Sequence, residues 1–173
     1  MRALTAGEIL AALRTRCLPD GGPWPADDLG VLAYRADQVE RLRDQAEAAF
    51  LLWVATTPQG DYVGRVGCHA PPSAEGVVEI GYYVRDVHRG QGLAREMVNA
   101  FISWLRAHDV LGVRAMVRPG NDASIAVLRS GGFRPTGRSL VDPEDGPEDE
   151  YCLTMTSEPL DAPSPTALDR GLE

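Results

Sequence analysis

The sequence predicts a single α/β domain, and three observations lead to this prediction. The 173 residues suit one domain, which at this length buries about 70% of the surface of its unfolded chain. Short apolar runs rich in β-branched residues are interspersed with stretches where apolar residues recur every three or four positions, as in amphipathic helices. One strand, a glycine-rich turn and a helix follow each other within Val77–Arg106, and the rest of the chain is organised around this unit.

The N-terminal segment predicts a short edge strand followed by a helix. Met1–Leu4 forms the strand, and Thr5 with Glu8 three residues later forms a capping box that starts the helix. This helix should end near Arg16. Cys17–Ala26 is rich in Pro, Gly and Asp, so we expect a loop.

The next segment contains an ambiguous stretch followed by one predicted helix. Asp27–Tyr34 is ambiguous and is compatible with a helical turn, whereas Ala36–Ala49 has helical periodicity. Its inward face would be formed by Val39, Leu42 and Ala46.

A β-hairpin is predicted after this helix. Phe50–Ala55 is an apolar strand, Thr56–Asp61 has turn chemistry, and Tyr62–His69 returns as the second strand. Because Gly64 and Gly67 interrupt the second strand, we expect it to be weak or bulged.

The central unit begins with Val77–Val84, an apolar strand in which Glu79 is the only charged residue. A charged turn, Arg85–His88, leads to a glycine-rich stretch that opens the helix. The buried stripe of this helix is predicted to consist of Leu93, Met97, Phe101, Trp104 and Leu105.

The C-terminal third predicts a strand, a helix and a final hairpin. Val113–Val117 is the fifth strand, Asn121–Ser130 a helix ended by Gly131 and Gly132, and Phe133–Val141 the sixth strand. Asp142–Asp149 is an acidic hairpin loop, and Glu150–Thr156 is the last strand. Residues 157–173 are rich in Pro, Ser and Asp, so we expect a disordered tail after a domain that spans residues 1–156.

Composition excludes several function classes. The net charge of −8 and the pI near 4.9 argue against nucleic-acid binding, which requires a basic face. No run approaches the ~20 apolar residues of a membrane span, and the first residues lack the apolar stretch of a secretory signal. Three cysteines without Cys-x-x-Cys spacing indicate reduced thiols in a cytoplasmic protein, and neither they nor the three histidines suggest a metal site. We expect a monomer or homodimer.

The glycine-rich turn before the central helix is a candidate anion site. The first N–H groups of a helix lack partners, and Gly90 and Gly92 allow an anion to approach the backbone closely. The chain contains no lysine, so the phosphate loop of nucleoside triphosphatases is excluded. The dinucleotide fingerprint fails as well, because Arg95 stands where its third glycine should be.

This region resembles the GNAT acyltransferase superfamily. The superfamily's acetyl-CoA loop has the pattern Gln/Arg-x-x-Gly-x-Gly/Ala, which Arg89, Gly92 and Ala94 match. The wider run from Gly81 to Glu96 looks like the RimJ/RimL-type branch, the ribosomal-protein N-terminal acetyltransferases. The resemblance implies a mostly antiparallel sheet that is splayed between its fourth and fifth strands, with helices on both faces.

The resemblance further implies the reaction and the cofactor contacts. Acetyl-CoA would lie in the splay, and its acetyl group would be transferred by direct attack of an amine without a metal. The acceptor would be a protein N-terminus or a small-molecule amine; a non-catalytic CoA-binding module is the alternative. The implied CoA-binding residues are Tyr83, Val84, Arg89, Gly90, Gln91, Gly92, Leu93, Ala94, Arg95 and Asn121.

Glu79 is the candidate general base. As the only acid in an apolar strand, it would acquire a raised pKa if it were buried. The RimJ/RimL-type branch carries a glutamate at this place. The alternative is that Glu79 lies on a solvated face without a catalytic role.

A second motif, from Asn121 to Phe133, also resembles the superfamily. The superfamily commonly has a tyrosine as general acid seven residues after the asparagine, but here Leu128 occupies that position. In the RimJ/RimL-type branch a serine serves instead, which would be Ser124. Asn121 would then bind the pantetheine arm. Helix capping is the alternative role for both residues.

Trp24 stands between two prolines in the first long loop. In the family this loop borders the acceptor site, so Trp24 is a candidate for substrate binding. Packing of the indole on the core is the alternative.

Overall fold

The computed structural model describes residues 1–142 and 146–155, and it confirms the predicted fold class. The strands are β1 Arg2–Ala3, β2 Trp53–Thr56, β3 Tyr62–Cys68, β4 Val77–Val84, β5 Gly112–Val117, β6 Arg134–Asp142 and β7 Gly146–Thr154. The helices are α1 Ala6–Thr15, α2 Leu29–Arg41, α3 Ala48–Leu51, α4 Leu93–Arg106 and α5 Asp122–Ser130.

The seven strands form one sheet in the order β1-β2-β3-β4-β5-β7-β6. All neighbours pair antiparallel except β4 and β5, which are parallel and pair only from Val77–Gly112 to Glu79–Arg114. Beyond Glu79 the two strands separate. The predicted splay between the fourth and fifth strands is therefore confirmed, and it begins one residue after Glu79.

Helices cover both faces of the sheet. On one face α4 packs through Met97, Phe101 and Leu105, as the helical stripe predicted, together with Leu128 of α5. On the other face α1 and α2 enclose a second core with the first strands, which includes Ile9, Leu32, Val39, Val54 and Tyr62. Consecutive residues of β2 take part in different cores, because side chains alternate across a strand.

The first elements match the sequence closely. Thr5 caps α1, and the reciprocal contact of the Glu8 carboxylate with the Thr5 backbone N–H completes the capping box. The helix ends at Thr15, and Arg16 takes a left-handed conformation. The edge strand pairs with β2 through Arg2 and Ala3.

The middle of the chain differs from the prediction. The helix α2 begins at Leu29 rather than Ala36 and ends at Arg41, so Asp27–Tyr34 belongs largely to this helix. Leu42 is extended, and the helical residues 48–51 replace the start of the predicted strand. Ala46, which was predicted to face inward, is exposed. The helical periodicity predicted the wrong start for this helix, because tertiary contacts of Leu32 and Arg35 extend it towards its N-terminus.

The glycines of β3 serve close packing rather than weakness. A Cβ on Gly64 would stand 2.2 Å from the Tyr83 carbonyl oxygen, and one on Gly67 would stand 2.0 Å from the Leu51 carbonyl oxygen. The strand is buried on both faces and continuous from Tyr62 to Cys68. The predicted bulge lies in this strand, because one step along β2, from Ala55 to Thr56, corresponds to two steps along β3, from Gly64 to Tyr62.

The C-terminal hairpin is longer than predicted. Strand β7 begins at Gly146, four residues before Glu150, because its N-terminal part pairs with the end of β6. The predicted acidic loop over Asp142–Asp149 is therefore wrong for residues 146–149. Residues 143–145, Thr156 and the tail predicted from Ser157 lie outside the described residues.

Candidate functional site

A cleft of about 540 Å³ opens where β4 and β5 separate. The end of β4 forms one wall, the turn before α4 forms the floor, and the start of α5 forms the other wall. It is lined by Tyr82, Tyr83, Val84, His88, Arg89, Gly90, Gly92, Leu93, Ala94, Arg95, Asn121, Ala123, Ser124 and Val127. Nine of the predicted CoA-binding residues and Ser124 are thus brought together. The remaining one, Gln91, does not line the cleft.

The floor of the cleft is the glycine-rich turn at the start of α4. Gly90 and Gly92 have φ angles of +74° and +79°, which side chains rarely adopt, and a Cβ added at either position would meet no other atom within 4 Å. Gly92 is the N-cap of α4 and provides no side-chain cap. The first N–H groups of the helix are thus left for an anion, which fits the pyrophosphate of CoA.

Arg89 is fixed at the cleft entrance by contacts with both sides of the turn. Its Nε donates to the Val84 carbonyl oxygen at 3.0 Å, and one terminal nitrogen forms a 2.9 Å salt bridge with Asp86. Its guanidinium also lies over the Tyr83 ring, 5.8 Å from the centroid. An arginine held in this way provides positive charge beside the anion site without losing many rotamers on binding.

Asn121 and Ser124 stand on the opposite wall, and the structure places both at the start of α5. The Asn121 side-chain oxygen accepts a 3.2 Å hydrogen bond from the Ser124 N–H, so Asn121 is an N-cap. Both residues also line the cleft. Capping and ligand contact are therefore compatible roles here. Leu128, at the position of the superfamily's usual tyrosine, is completely buried.

Tyr82 is a cleft residue that the sequence analysis did not single out. Its hydroxyl donates to the Ser124 carbonyl oxygen at 3.2 Å, which connects the two walls of the cleft. Burial raises the pKa of the Tyr82 phenol, so the group remains a proton donor at neutral pH. Tyr82 and Ser124 thus bring two hydroxyl groups to the cleft, whereas Leu128 brings none.

Glu79 does not line this cleft but projects from the opposite face of β4. One carboxylate oxygen lies 3.1 Å from His69 Nδ1, and the other lies 3.1 Å from Arg114 Nε. These contacts, led by the hydrogen bond from His69, hold the pKa of Glu79 below its usual value despite the opposing effect of burial. The predicted rise of this pKa is therefore wrong, because burial is outweighed by two partners that come from β5 and the end of β3.

The helix α2 secures this second face. Arg35 donates from the helix to the Cys68 carbonyl oxygen at 2.6 Å and to the Gln38 side chain at 2.8 Å, and Gln38 in turn donates to the His69 carbonyl oxygen. Burial lowers the pKa of Arg35 to about 10. The end of β3, and with it the backbone of His69, is thereby held against α2.

A buried ion pair lies beside these residues. Asp28 accepts from Arg65 Nε at 2.8 Å and from the Tyr62 hydroxyl at 2.7 Å. Arg65 also stands over the Tyr83 ring, with its guanidinium carbon 5.4 Å from the centroid. Tyr83 therefore contacts charged groups of β3 and of the cleft turn.

Trp24 lies outside both groups of residues. Its side chain is only 4% exposed and packs against Tyr62, with ring centroids 5.7 Å apart, while its indole N–H donates to the Asp28 carbonyl oxygen. The proposed contact of Trp24 with substrate is not supported by this placement. The alternative, an aromatic ring packed on the core, describes it.

Sequence reasoning missed Tyr82, His69 and Arg114. Alternation along β4 places Glu79, Gly81 and Tyr83 on one face and Tyr82 on the other, and this signal was available from the sequence. The partners of Glu79 could not be identified from the sequence. His69 and Arg114 are 10 and 35 positions away in the chain and meet Glu79 only through the register of the sheet.

Two negative observations concern residues 1–142 and 146–155. Over these residues, no group of three or more His, Cys, Asp or Glu side chains is arranged to hold a metal ion. No helix in the same ranges is long and apolar enough to cross a membrane.

A sheet that splays beside a glycine-rich helix start defines a class of protein that holds a phosphate-bearing cofactor in the splay. The chain belongs to the acetyltransferase (GNAT) domain family, whose model matches residues 5–134.

Three relatives illustrate the relationship. An L-methionine sulfoximine/L-methionine sulfone acetyltransferase of Pseudomonas aeruginosa is 33% identical over 97 residues, which are 54% of this chain and 56% of that protein. The chain thus spans about half the length of the curated relatives it matches.

The ribosomal-protein-alanine N-acetyltransferase of Brucella melitensis superposes with a TM-score of 0.61 at 24% identity, over 88% of this chain and 98% of the other. The coenzyme A complex of a ribosomal L7/L12 α-N-protein acetyltransferase superposes with a TM-score of 0.57 at 18% identity, over 89% of this chain and 92% of the other. These structures share the fold of this chain.

Proposed function

We propose that this protein transfers an acetyl group from acetyl-CoA to a primary amine by direct attack. The observation that carries the proposal is the cleft itself, in which the open N-terminus of α4 and the first turn of α5 face each other across the splay of β4 and β5. Gly90, Gly92 and Arg89 would hold the pyrophosphate, while Asn121 would bind the pantetheine arm. Bound acetyl-CoA supplies the activated thioester.

The chain's own residues then have two tasks. The acceptor amine must lose a proton as its nitrogen bonds to the acetyl carbon, and the sulfur must gain one as the carbon–sulfur bond breaks. The proton from nitrogen leaves towards the pair formed by Glu79 and His69. The proton for sulfur comes from Ser124, or from Tyr82 beside it.

We further propose that the acceptor is a small amine that also carries a carboxylate. The Pseudomonas relative is named for L-methionine sulfoximine and L-methionine sulfone, which have an α-amine next to a carboxylate. Arg114 stands at the fork of the splay with about half of its side chain exposed. A guanidinium has five N–H donors, and the salt bridge to Glu79 engages the one on Nε, so the terminal nitrogens suit a carboxylate.

An acceptor panel tests both parts. We would follow free-thiol release from acetyl-CoA with L-methionine sulfone, its decarboxylated amine, spermidine and a peptide with a free N-terminus. The amino acid should exceed its decarboxylated analogue by tenfold or more in kcat/KM, about the value of one charged hydrogen bond. Arg114→Gln should lower kcat/KM for the amino acid by more than for the analogue, with Arg106→Gln at the far end of α4 as control.

The outcomes separate the two claims. A panel without preference for the carboxylate would contradict the acceptor class but leave acetyl transfer standing. Binding of CoA without turnover of any acceptor would contradict acetyl transfer and favour a non-catalytic CoA-binding module.

A further inference from the structure

His69 follows β3 directly, and its side chain packs against β4 at Gly81. Its Nε2 atom lies 2.8 Å from the point where a Cβ on Gly81 would stand. The backbone N–H of His69 donates to the Glu79 carbonyl oxygen at 2.7 Å, and the carbonyl oxygen of His69 accepts from Gln38. The imidazole is thus held between the end of β3 and the bare backbone of Gly81.

The contact with Glu79 determines which imidazole nitrogen carries the proton. The carboxylate lies 3.1 Å from Nδ1, and an ionised carboxylate only accepts hydrogen bonds. Nδ1 must therefore be the N–H of the neutral ring, and Nε2 carries the lone pair. A carboxylate that holds a histidine in one tautomer is the arrangement by which an imidazole becomes a directed proton acceptor.

The Nε2 lone pair lies beside Gly81, close to the point where β4 and β5 separate. Glu79 is the last residue of β4 that pairs with β5, and Gly81 lies two residues further, where the strands have separated. Tyr82 and Tyr83 of the cleft follow at once, and successive strand residues advance by about 3.3 Å. The His69 side chain is about half exposed, so an acceptor that approaches from this face can reach it.

We infer that His69 Nε2 is the atom that accepts the amine proton, and that Glu79 is a positioning residue that orients the imidazole. The inference rests on the proposed acetyl transfer and names the base within it. As the nitrogen–carbon bond forms, Nε2 takes the proton from nitrogen and the ring becomes an imidazolium beside the Glu79 carboxylate. The carbon–sulfur bond breaks, sulfur gains a proton from a cleft hydroxyl, and solvent restores both groups.

The charged groups that face this ring come from three elements. Glu79 of β4 bonds to it directly, Arg114 of β5 bonds to the far oxygen of that carboxylate, and Arg35 of α2 bonds to the carbonyl oxygen of Cys68 just before it. Arg114 and Glu79 form a salt bridge, so the carboxylate keeps its charge over the pH range in which imidazoles titrate.

The test compares His69→Gln and Glu79→Gln in kcat and kcat/KM from pH 5.5 to 9.5, with an acceptor that the wild type turns over. The wild type should show an acidic limb in kcat/KM. His69→Gln should remove this limb and lower turnover at pH 7 by about 10²- to 10⁴-fold. Glu79→Gln should cost less, about tenfold, and retain the limb, because the imidazole is still present and loses only the contact that orients it. His108→Gln, which is remote from this face, is the matched control.

The opposite ranking would overturn the inference. If Glu79→Gln removed the limb while His69→Gln retained both the limb and the turnover, the carboxylate itself would be the base. Gly81→Ala gives a second test that leaves every charged group in place. Its Cβ must displace the ring, so turnover should fall while the affinity for CoA and the fold are retained; unchanged turnover would contradict the assigned position.

A spectroscopic measurement keeps the inference separate from the proposed reaction. Nitrogen-15 NMR of the free protein should show His69 as the Nδ1–H tautomer, and Glu79→Gln should weaken that preference. A dominant Nε2–H tautomer in the wild type would overturn the inference whether or not an acceptor is found. Absence of turnover with the expected tautomer would instead count against the proposed function.

Discussion

The two faces of β4 carry the two halves of the proposed site, and they are built in different ways. The cleft face is assembled from two continuous segments, the turn leading into α4 and the start of α5. The opposite face is assembled from single residues, among them His69, Glu79 and Arg114, that come from three different elements. Cofactor binding needs backbone N–H groups that a local motif can present, whereas proton transfer needs side chains positioned by the whole sheet.

The largest effect is expected on the cleft face, at Gly92. The residue has φ +79°, and an aspartate there would adopt a strained conformation and place negative charge at the anion site. Gly92→Asp should therefore abolish detectable binding of CoA by calorimetry, while His69→Gln and Glu79→Gln should bind CoA normally.

The control for this variant is Gly60→Asp. Gly60 has φ +93°, open surroundings and a place in the turn between β2 and β3, far along the chain from the cleft motif. It reproduces the backbone strain without the anion site and should leave the affinity for CoA unchanged. Wild-type affinity in a folded Gly92→Asp protein would remove the distinction between the two faces.

A smaller effect is expected from the cleft hydroxyls. Tyr82→Phe and Ser124→Ala should each lower kcat by no more than about tenfold, because a thiol is a fair leaving group and water can supply the proton. Turnover of the two variants and of the double variant, measured across pH, would show whether one hydroxyl replaces the other. A loss as large as that of His69→Gln would place the difficult proton transfer on the cleft face instead.

The smallest effect is expected on the stability of the protein in acid, and it depends on Glu79 on the face of β4 opposite the cleft. The pKa of Glu79 is lower in the folded protein than in the unfolded chain. The contribution of Glu79 to the free energy of unfolding is therefore complete above the unfolded-state pKa, and it is lost as pH falls through the folded-state pKa. Between about pH 5 and 3 the wild type should lose stability relative to Glu79→Gln, by no more than about 1 kcal/mol for a partly exposed pair. Urea unfolding of the wild type and of Glu79→Gln at these two pH values measures the difference in the free energy of unfolding.

Glu96→Gln on α4 is the companion variant, because Glu96 carries its charge on the exposed side of the cleft helix. It should leave the acid dependence of unfolding as it is in the wild type. Equal acid dependence for Glu79→Gln and the wild type would show that the contacts with His69 and Arg114 do not persist in solution.

Elements defined by local rules were predicted well. Strand β4 has the predicted bounds, Thr5 and Glu8 form the predicted capping box, and Met97, Phe101 and Leu105 form the buried stripe of α4. The start of α2 and the length of β7 were missed, because each depends on contacts with distant residues: Arg35 with Cys68, and β7 with β6.

The sequence by itself determined the proposed cofactor side of this protein. A glycine turn, a helix start and an asparagine cap are short-range features, and their chemistry follows from the residues that form them. Only the tertiary structure decided the state of Glu79, because the pKa of a carboxyl group depends on the charges around it rather than on its neighbours in the chain. His69 reaches Glu79 through the register of β3 with β4, and Arg114 through the short parallel pairing of β4 with β5, so folding of the sheet brings these groups together.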